Sequence, residues 1–347
     1  MRYKLLGRSG LRVSELCLGT MTFGEEWGWG ASRDESRKIF DAFVEAGGNF
    51  LDTANKYTEG TSEKLLGDFV KSDRGRFVVA TKYTSSMRDG DPNGGGNHRK
   101  AMVEGLEASL RRLGTDYVDL YWLHAWDAMT PVEEVMRAFD DLVRAGMVLY
   151  IGISDAPAWI VSRANTMAEL RGWTQFVGLQ VEYSLVERAP ERDLLPMARA
   201  LDIGVTAWSP LAGGLLTGKY NKDAPKSTAP ATPRFEVAPG FSRISDRNLQ
   251  IAEAVQRTAR EMGASPAQVA LSWTRAKNTL PILGGRKLSQ IQDNLGCLKV
   301  TLSADQIRNL DEVSRIELGF PHDFLQNPTV RNIMFGGTDA LTDNHRA

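Results

Sequence analysis

Cysteine, excess charge of either sign and long apolar runs are what this sequence lacks. Its 347 residues include only two cysteines, Cys17 and Cys297. No CxxC pair and no Cys/His cluster occurs, so no metal site is expected. Cys17 lies between Leu16 and Leu18 and reads as a small buried hydrophobe, not a reactive thiol. Lysine and arginine total 42 against 43 aspartates and glutamates, a net charge of −1. That balance offers no bulk attraction to nucleic acid or to a membrane surface. No apolar stretch approaches the length needed to span a bilayer, and the start, MRYKLLGRSG, lacks the apolar core of a signal peptide. Cytoplasmic placement is the expectation. The GxGxxG fingerprint of a Rossmann nucleotide fold is missing after the first apolar run. The stretch GDPNGGGN lacks the Lys-Ser/Thr ending of a phosphate loop and reads as a plain flexible loop.

What the chain does have is alternation. Short apolar runs at 15–18, 49–53, 77–82, 118–124, 148–154, 177–181, 203–208 and 280–283 read as eight strands. Their continuous apolar character suits strands buried on both faces of a parallel sheet. Helical patterns lie between them. Ser32, with Glu35 three residues on, reads as a capping box opening a helix that Gly47 and Gly48 end after Ala46. Val103, Leu106, Leu110 and Leu113 form a helical stripe over 98–113, and Gly114 stops it. Pro131 opens a helix to about Ala145, closed by Gly146. Segments 159–170, 191–201, 246–262 and 266–277 continue the pattern. This is an α/β chain, and eight repeats fit a closed barrel better than an open sheet. With no dividing linker, 1–347 reads as one domain, with a tail from about 320 to 347. Three long loops, 24–30, 85–97 and 221–245, are candidates for binding loops or lids.

Active sites of such barrels sit at the C-terminal ends of the strands. There the second run ends in Asp52 with Tyr57 just beyond, the third in Lys82 and the fourth in His124. Taken singly, each has an ordinary explanation: a capping carboxylate, a loop aromatic, a solvated lysine, a core histidine. Together they make a specific chemistry. A phenol with a pKa near ~10 donates a proton poorly at neutral pH. A buried ammonium beside it favours the phenolate, a carboxylate keeps the ammonium charged, and an imidazole orients a carbonyl oxygen. Carbonyl reduction needs this, because hydride addition to carbon leaves an alkoxide to protonate.

Several stretches carry a family likeness. FLDTANKYTEGTSEKLLG (50–67), ATKY (80–83), DYVDLYWLH (116–124), GLQVEYSL (178–185) and AWSPLAGGLLTGKY (207–220) resemble the signature segments of the aldo-keto reductases. The likeness runs from Tyr3 to about Leu310 and is nearest to the branch described as aryl-alcohol-dehydrogenase-like. It implies a (β/α)8 TIM barrel with long loops at its C-terminal face. The start, YKLLGRSGLRVSEL, is similar to the N-terminal β-hairpin that caps the barrel floor in this family. The resemblance implies NADP(H) as cofactor and a small carbonyl or alcohol substrate, with Tyr57 as general acid in reduction and base in oxidation. Lys82 and Asp52 would tune it, and His124 would position the substrate oxygen. Gly19, Thr20 and Met21, with Asp52, would approach the nicotinamide end. Ser154, Asp155 and Gln180 would bond the carboxamide, Asp155 standing where relatives usually carry Asn. Trp208, where many carry Tyr, would stack on the ring. Ser209, Pro210, Leu211, Gly213 and Lys219 resemble the segment along the pyrophosphate. Gly284, Arg286, Gln290, Asp293 and Asn294 would grip the adenosine half, with Arg286, helped by Lys287, reading the 2′-phosphate.

Trp27 and Trp29 are read either as pocket walls or as rim packing, and Trp126 as a wall. His98 and His322 have no evident partner in the sequence. The tail is read as a cover for the mouth or as a subunit contact, and members of the family range from monomers to rings, so a homo-oligomer is compatible. Two other functions compete. One is a slow-turnover redox sensor or regulatory subunit, similar to potassium-channel β subunits. The other is a barrel aldolase using Lys82 as a Schiff-base nucleophile, against which the Tyr57 and cofactor segments argue.

Overall fold

A computed structural model describes residues 1–219 and 243–343 of the chain. The expected loop at 221–245 therefore lies largely outside the described residues, as do the last four residues of the tail.

The chain opens with an antiparallel hairpin of β1 (Tyr3–Leu5) and β2 (Arg12–Ser14), Tyr3 opposite Ser14. Its turn needs Gly7, which sits at φ +54 where a Cβ would come within 2.5 Å of the Val177 carbonyl. Leu6 and Val13 are fully buried and pack with Cys17, Phe50, Ala80 and Trp122 inside the ring of strands. The hairpin therefore plugs the barrel floor.

The ring is made of β3 (Cys17–Gly19), β4 (Phe50–Asp52), β5 (Val78–Tyr83), β6 (Val118–Leu123), β7 (Val148–Ser154), β8 (Phe176–Glu182), β9 (Gly204–Trp208) and β10 (Leu280–Leu283). Each pairs in parallel with the next, and β10 closes on both β9 and β3. Every apolar run expected to be a strand is one, and the architecture is a (β/α)8 TIM barrel. The strands β5 and β6 are buried at every position, which is why they read as unbroken apolar runs.

Outside the strands lie α1 (Arg33–Glu45), α2 (Thr61–Val70), α3 (Arg99–Leu113), α4 (Val132–Arg144), α5 (Ala158–Arg171), α6 (Leu194–Ala200), α7 (Asp246–Met262) and α8 (Pro266–Ala276). Beyond β10 follow α9 (Leu288–Leu295), α10 (Ala304–Val313) and the tail helices α11 (His322–Gln326) and α12 (Pro328–Phe335), which bury none of their residues. The sequence reading did not anticipate α2. Gly67 interrupts its pattern, yet a Cβ there would lie 2.3 Å from the Leu113 carbonyl, so the glycine lets α2 cross α3 closely. The capping box at Ser32 is half formed: its hydroxyl accepts from the Glu35 amide, but the Glu35 carboxylate instead accepts from the Leu288 amide at 2.6 Å and caps α9. His98 turns out to have a partner, since its Nδ1 accepts from the Ala101 amide at 3.3 Å and caps α3. Among the described residues no helix is long and apolar enough to cross a membrane, and no cluster of three or more His, Cys, Asp or Glu could hold a metal ion.

Inside the barrel the fully buried Trp122 ring lies over two glycines, one on β7 and one on β8. A Cβ on Gly152 would come 2.3 Å from that ring, and one on Gly178 2.7 Å. Gly152→Ala should therefore cost about 1–3 kcal/mol of stability through overpacking. Urea unfolding measures it, and an unchanged midpoint would contradict this packing.

Candidate active site

The C-terminal ends of β4 and β5 bring a carboxylate and an ammonium together in the mouth. Lys82 is 0% exposed and Asp52 2%. The Lys82 Nζ donates to Asp52 Oδ2 at 2.5 Å, to the Thr53 carbonyl at 2.9 Å and to the Tyr57 hydroxyl oxygen at 3.0 Å. An ammonium has three donors, and all three are used. The other Asp52 oxygen accepts from Gln180 Nε2 at 3.1 Å. Burial alone would discharge the lysine, but Asp52 and Tyr57 outweigh it and hold the ammonium above the ordinary lysine range. A Schiff-base nucleophile needs a neutral amine, so this environment disfavours the aldolase reading.

His124, just past β6, stands edge-on to Tyr57 with ring centroids 5.9 Å apart. Burial, and then the Lys82 charge, push its pKa from 6.5 down to about 3. It is a neutral imidazole at physiological pH, fit to hydrogen-bond a carbonyl oxygen. Its Nδ1 is buried without a partner among the described residues.

Local structure fixes both rings. Tyr57 begins a strained turn in which Thr58 has φ 45, Glu59 φ 54 and Gly60 φ 90. A β-branched residue with positive φ costs on the order of 1–3 kcal/mol and must be held by its surroundings. Thr58 is: its hydroxyl donates to the Phe23 carbonyl at 2.6 Å and accepts from the Ser62 amide at 3.0 Å. His124 hangs from the Thr84 hydroxyl, which accepts its backbone amide at 3.2 Å and the Asn97 side-chain amide at 3.0 Å. Asn97 is fully buried and also donates to the Ala125 carbonyl and accepts from the Asp127 amide. Thr58, Thr84 and Asn97 escaped the sequence reading, because their partners lie far along the chain.

The residues named for the cofactor surround this quartet. Ser154 closes β7, 1% exposed, with its hydroxyl lacking a partner among the described residues. Asp155 follows at φ 44 and accepts the Trp208 indole N–H at 3.0 Å. Gln180 is committed to Asp52. Ser209, Ala212 and Gly213 adopt left-handed φ values of 50, 48 and 63, folding the chain back after β9, with Pro210 buried and Leu211 packed on the core. A Cβ on Gly214 would lie 2.8 Å from the Lys219 Nζ. Burial first, and the Arg286 charge second, lower the Lys219 pKa. Arg286 makes no ion pair among the described residues, and its amide donates to Gln290 Oε1 at 2.8 Å. Gly284 has open space where a Cβ would be, and its carbonyl accepts from the buried Asn294.

Three of the named residues are engaged in packing. The Asp293 carboxylate accepts from Ser265 at 3.0 Å and Gln268 at 2.8 Å, tying α9 to the cap of α8. Thr20 bonds Asp52 O and Ser62. Gly19 lets β3 approach the Ile282 side chain. Met21 is half-buried at the rim. Trp27 and Trp29 stack with centroids 5.4 Å apart, and the Trp27 indole donates to Glu59 at 3.1 Å. Trp126 is half-buried, its amide donating to the Asp155 carbonyl at 3.3 Å.

The family model described as Aldo/keto reductase family matches residues 15–315. The chain belongs to the aldo/keto reductase family. A putative aryl-alcohol dehydrogenase of Saccharomyces cerevisiae is 35% identical over 92% of this chain and 88% of its own length. A norsolorinic acid reductase of Aspergillus flavus is 35% identical over 94% and 84%. An aryl-alcohol dehydrogenase [NADP(+)] of Phanerodontia chrysosporium is 34% identical over 90% and 86%. This aldo/keto reductase is thus an oxidoreductase with the barrel of its family.

The depressed His124 pKa has a measurable consequence. Between pH 8 and 5 its imidazole resonances should remain those of a neutral ring, and this group should draw folding stability down as pH falls from about 6.5 toward about 3, where only the unfolded chain binds the proton. An NMR titration with a His124 midpoint near 6.5 would overturn the assignment.

Proposed function

We propose that this aldo/keto reductase moves a hydride between NADP(H) and the carbonyl carbon of an aldehyde or ketone, with Tyr57 exchanging the proton. The observation that carries the reading is the Tyr57 oxygen, 3.0 Å from an ammonium that is itself locked on Asp52, beside a neutral His124.

When bound, the cofactor supplies or accepts the hydride. The chain's own residues do the rest. In reduction, Tyr57 gives its proton to the substrate oxygen, and the Lys82 ammonium stabilises the negative charge left on the phenol oxygen. In oxidation, the same oxygen takes the alcohol proton. Asp52 keeps Lys82 charged and Gln180 fixes Asp52, so the ammonium needs no reorganisation when charge appears. His124 donates a hydrogen bond to the substrate oxygen and orients it.

The residues suit NADP(H). The unpartnered Ser154 hydroxyl lies at the end of β7 next to Asp155 and could take a carboxamide. The Lys219 and Arg286 cations are suited to phosphate groups, Arg286 bidentately to the 2′-phosphate. The paired Trp27 and Trp29 and the half-buried Trp126 favour an aromatic substrate, in keeping with relatives named for aryl alcohols. We read the barrel as one catalytic unit acting on a small molecule.

Tyr57→Phe should lower NADPH consumption with aromatic aldehydes by on the order of 10²–10⁴-fold, while the cofactor dissociation constant from tryptophan quenching stays within about twofold. Undiminished turnover would refute the proton-donor role, and tight NADPH binding by the unaltered protein with negligible turnover would favour the sensor. Arg286→Ala should raise the NADPH dissociation constant by roughly tenfold or more, through loss of a charge-assisted contact, and leave that of NADH nearly unchanged. Equal effects on both would move the phosphate site elsewhere.

A further inference from the structure

Asp155 is a carboxylate held rigidly in the active-site mouth. Its backbone is clamped from both sides, its amide donating to the Gln180 carbonyl at 3.2 Å and its carbonyl accepting from Trp126 at 3.3 Å. Its carboxylate takes the indole N–H of Trp208, the last residue of β9, at 3.0 Å. The two residues share the wall of a cavity of about 540 Å³ with Glu182, Glu187, Asp193 and the cation Arg192. The Arg243 guanidinium pairs with both Glu182 and Glu187, one positive charge for two carboxylates, whereas Asp155 has no ion pair among the described residues. The nearest strong positive field, that of Lys82, is already tied to Asp52. Asp155 thus carries a negative charge with no ion-pair partner among the described residues, at the end of β7. Desolvation raises its pKa, while the Trp208 hydrogen bond and the Lys82 charge pull it down.

We propose that Asp155 makes the enzyme bind the oxidised cofactor in preference to the reduced one, and so makes the bound reduced ring a stronger hydride donor, by placing a negative charge and an anchored indole beside the nicotinamide. This rests on the NADP(H) reading above. The ring carries a positive charge when oxidised and none when reduced. In oxidation the alcohol carbon loses a hydride to the ring, Tyr57 takes the hydroxyl proton, and the ring becomes neutral. A carboxylate therefore stabilises the form present before that step, which is the form that reduction produces, and so favours hydride donation to the carbonyl. The indole adds to this: with its N–H given to a carboxylate its face is richer in electrons, and a cation is the better partner for that face. Trp208 and Asp155 act as one electrostatic unit that binds NADP+ more tightly than a neutral side chain would.

Asp155→Asn tests this cleanly. The amide keeps the shape and can still accept the indole N–H through its own oxygen, so the charge is removed while one oxygen becomes an NH2 donor. Dissociation constants of NADP+ and NADPH, measured by tryptophan quenching and calorimetry without substrate, give the ratio of the two affinities. The variant should shift that ratio toward NADPH by on the order of tenfold, the size of a unit-charge interaction across several ångströms of partly solvated cleft. Asp155→Ser removes the same charge and should shift the ratio in the same direction if the Asn variant is unstable. Equal affinity changes for both forms, or none, would overturn the inference while leaving the NADP(H) reading intact. Failure of the unaltered protein to bind either form would overturn that reading and this inference with it.

Discussion

A buried ion pair organises this active site. Removing a carboxylate and an ammonium from water costs several kcal/mol per ion and is repaid only when the geometry is good and the remaining donors and lone pairs are satisfied. Here they are: Lys82 spends its donors on Asp52, the Thr53 carbonyl and Tyr57, and Asp52 takes a further bond from Gln180. The charge that results does two things. It steadies negative charge on the Tyr57 oxygen, and it helps keep His124 neutral. In the mechanism we propose, a carbonyl oxygen arriving between phenol and imidazole meets a proton source and an orienting hydrogen bond, both set before it binds.

The barrel makes that convergence possible. β4, β5, β6 and β8 each deliver one member of the network from a different point on the ring, and strand-to-strand pairing fixes the distances. Rigidity is supplied from below by the hairpin plug and by the Trp122 ring seated on Gly152 and Gly178. Above the ring, the left-handed turn through Thr58 aims Tyr57 back at Lys82 at a conformational cost that its hydrogen bonds offset. Precision at the mouth thus comes from close packing beneath it and from strain held at one loop.

What could be read from the sequence followed the range of the interactions. Strands buried on both faces announce themselves as apolar runs, so the barrel was legible before any coordinate. Asp52, Lys82 and His124 stood out because each ends such a run. Interactions that join distant segments left no local trace. Gln180 reads as a carboxamide ligand, but its bond to Asp52 spans 128 positions. Asp293 looks like an adenosine contact, yet its carboxylate clamps the cap of α8. Asn97 sits behind three glycines that suggest a slack loop, whereas it is a buried hub beneath His124. Helix α2 hid behind Gly67, whose purpose is apparent only once α3 lies across it.

The charge pattern around the mouth ties chemistry to cofactor. In the reading proposed above, Lys219 and Arg286 meet the cofactor's phosphates and Asp155 its ring, with the Asp52–Lys82 ion pair between them. The most direct measurement is a crystal structure with NADP+ and an aromatic aldehyde or a stable mimic of one. The carbonyl oxygen should lie within about 3 Å of both the Tyr57 oxygen and a His124 nitrogen, with the Lys82–Tyr57 contact intact. A substrate oxygen seated away from Tyr57, or a Lys82 that has released the phenol, would contradict the mechanism.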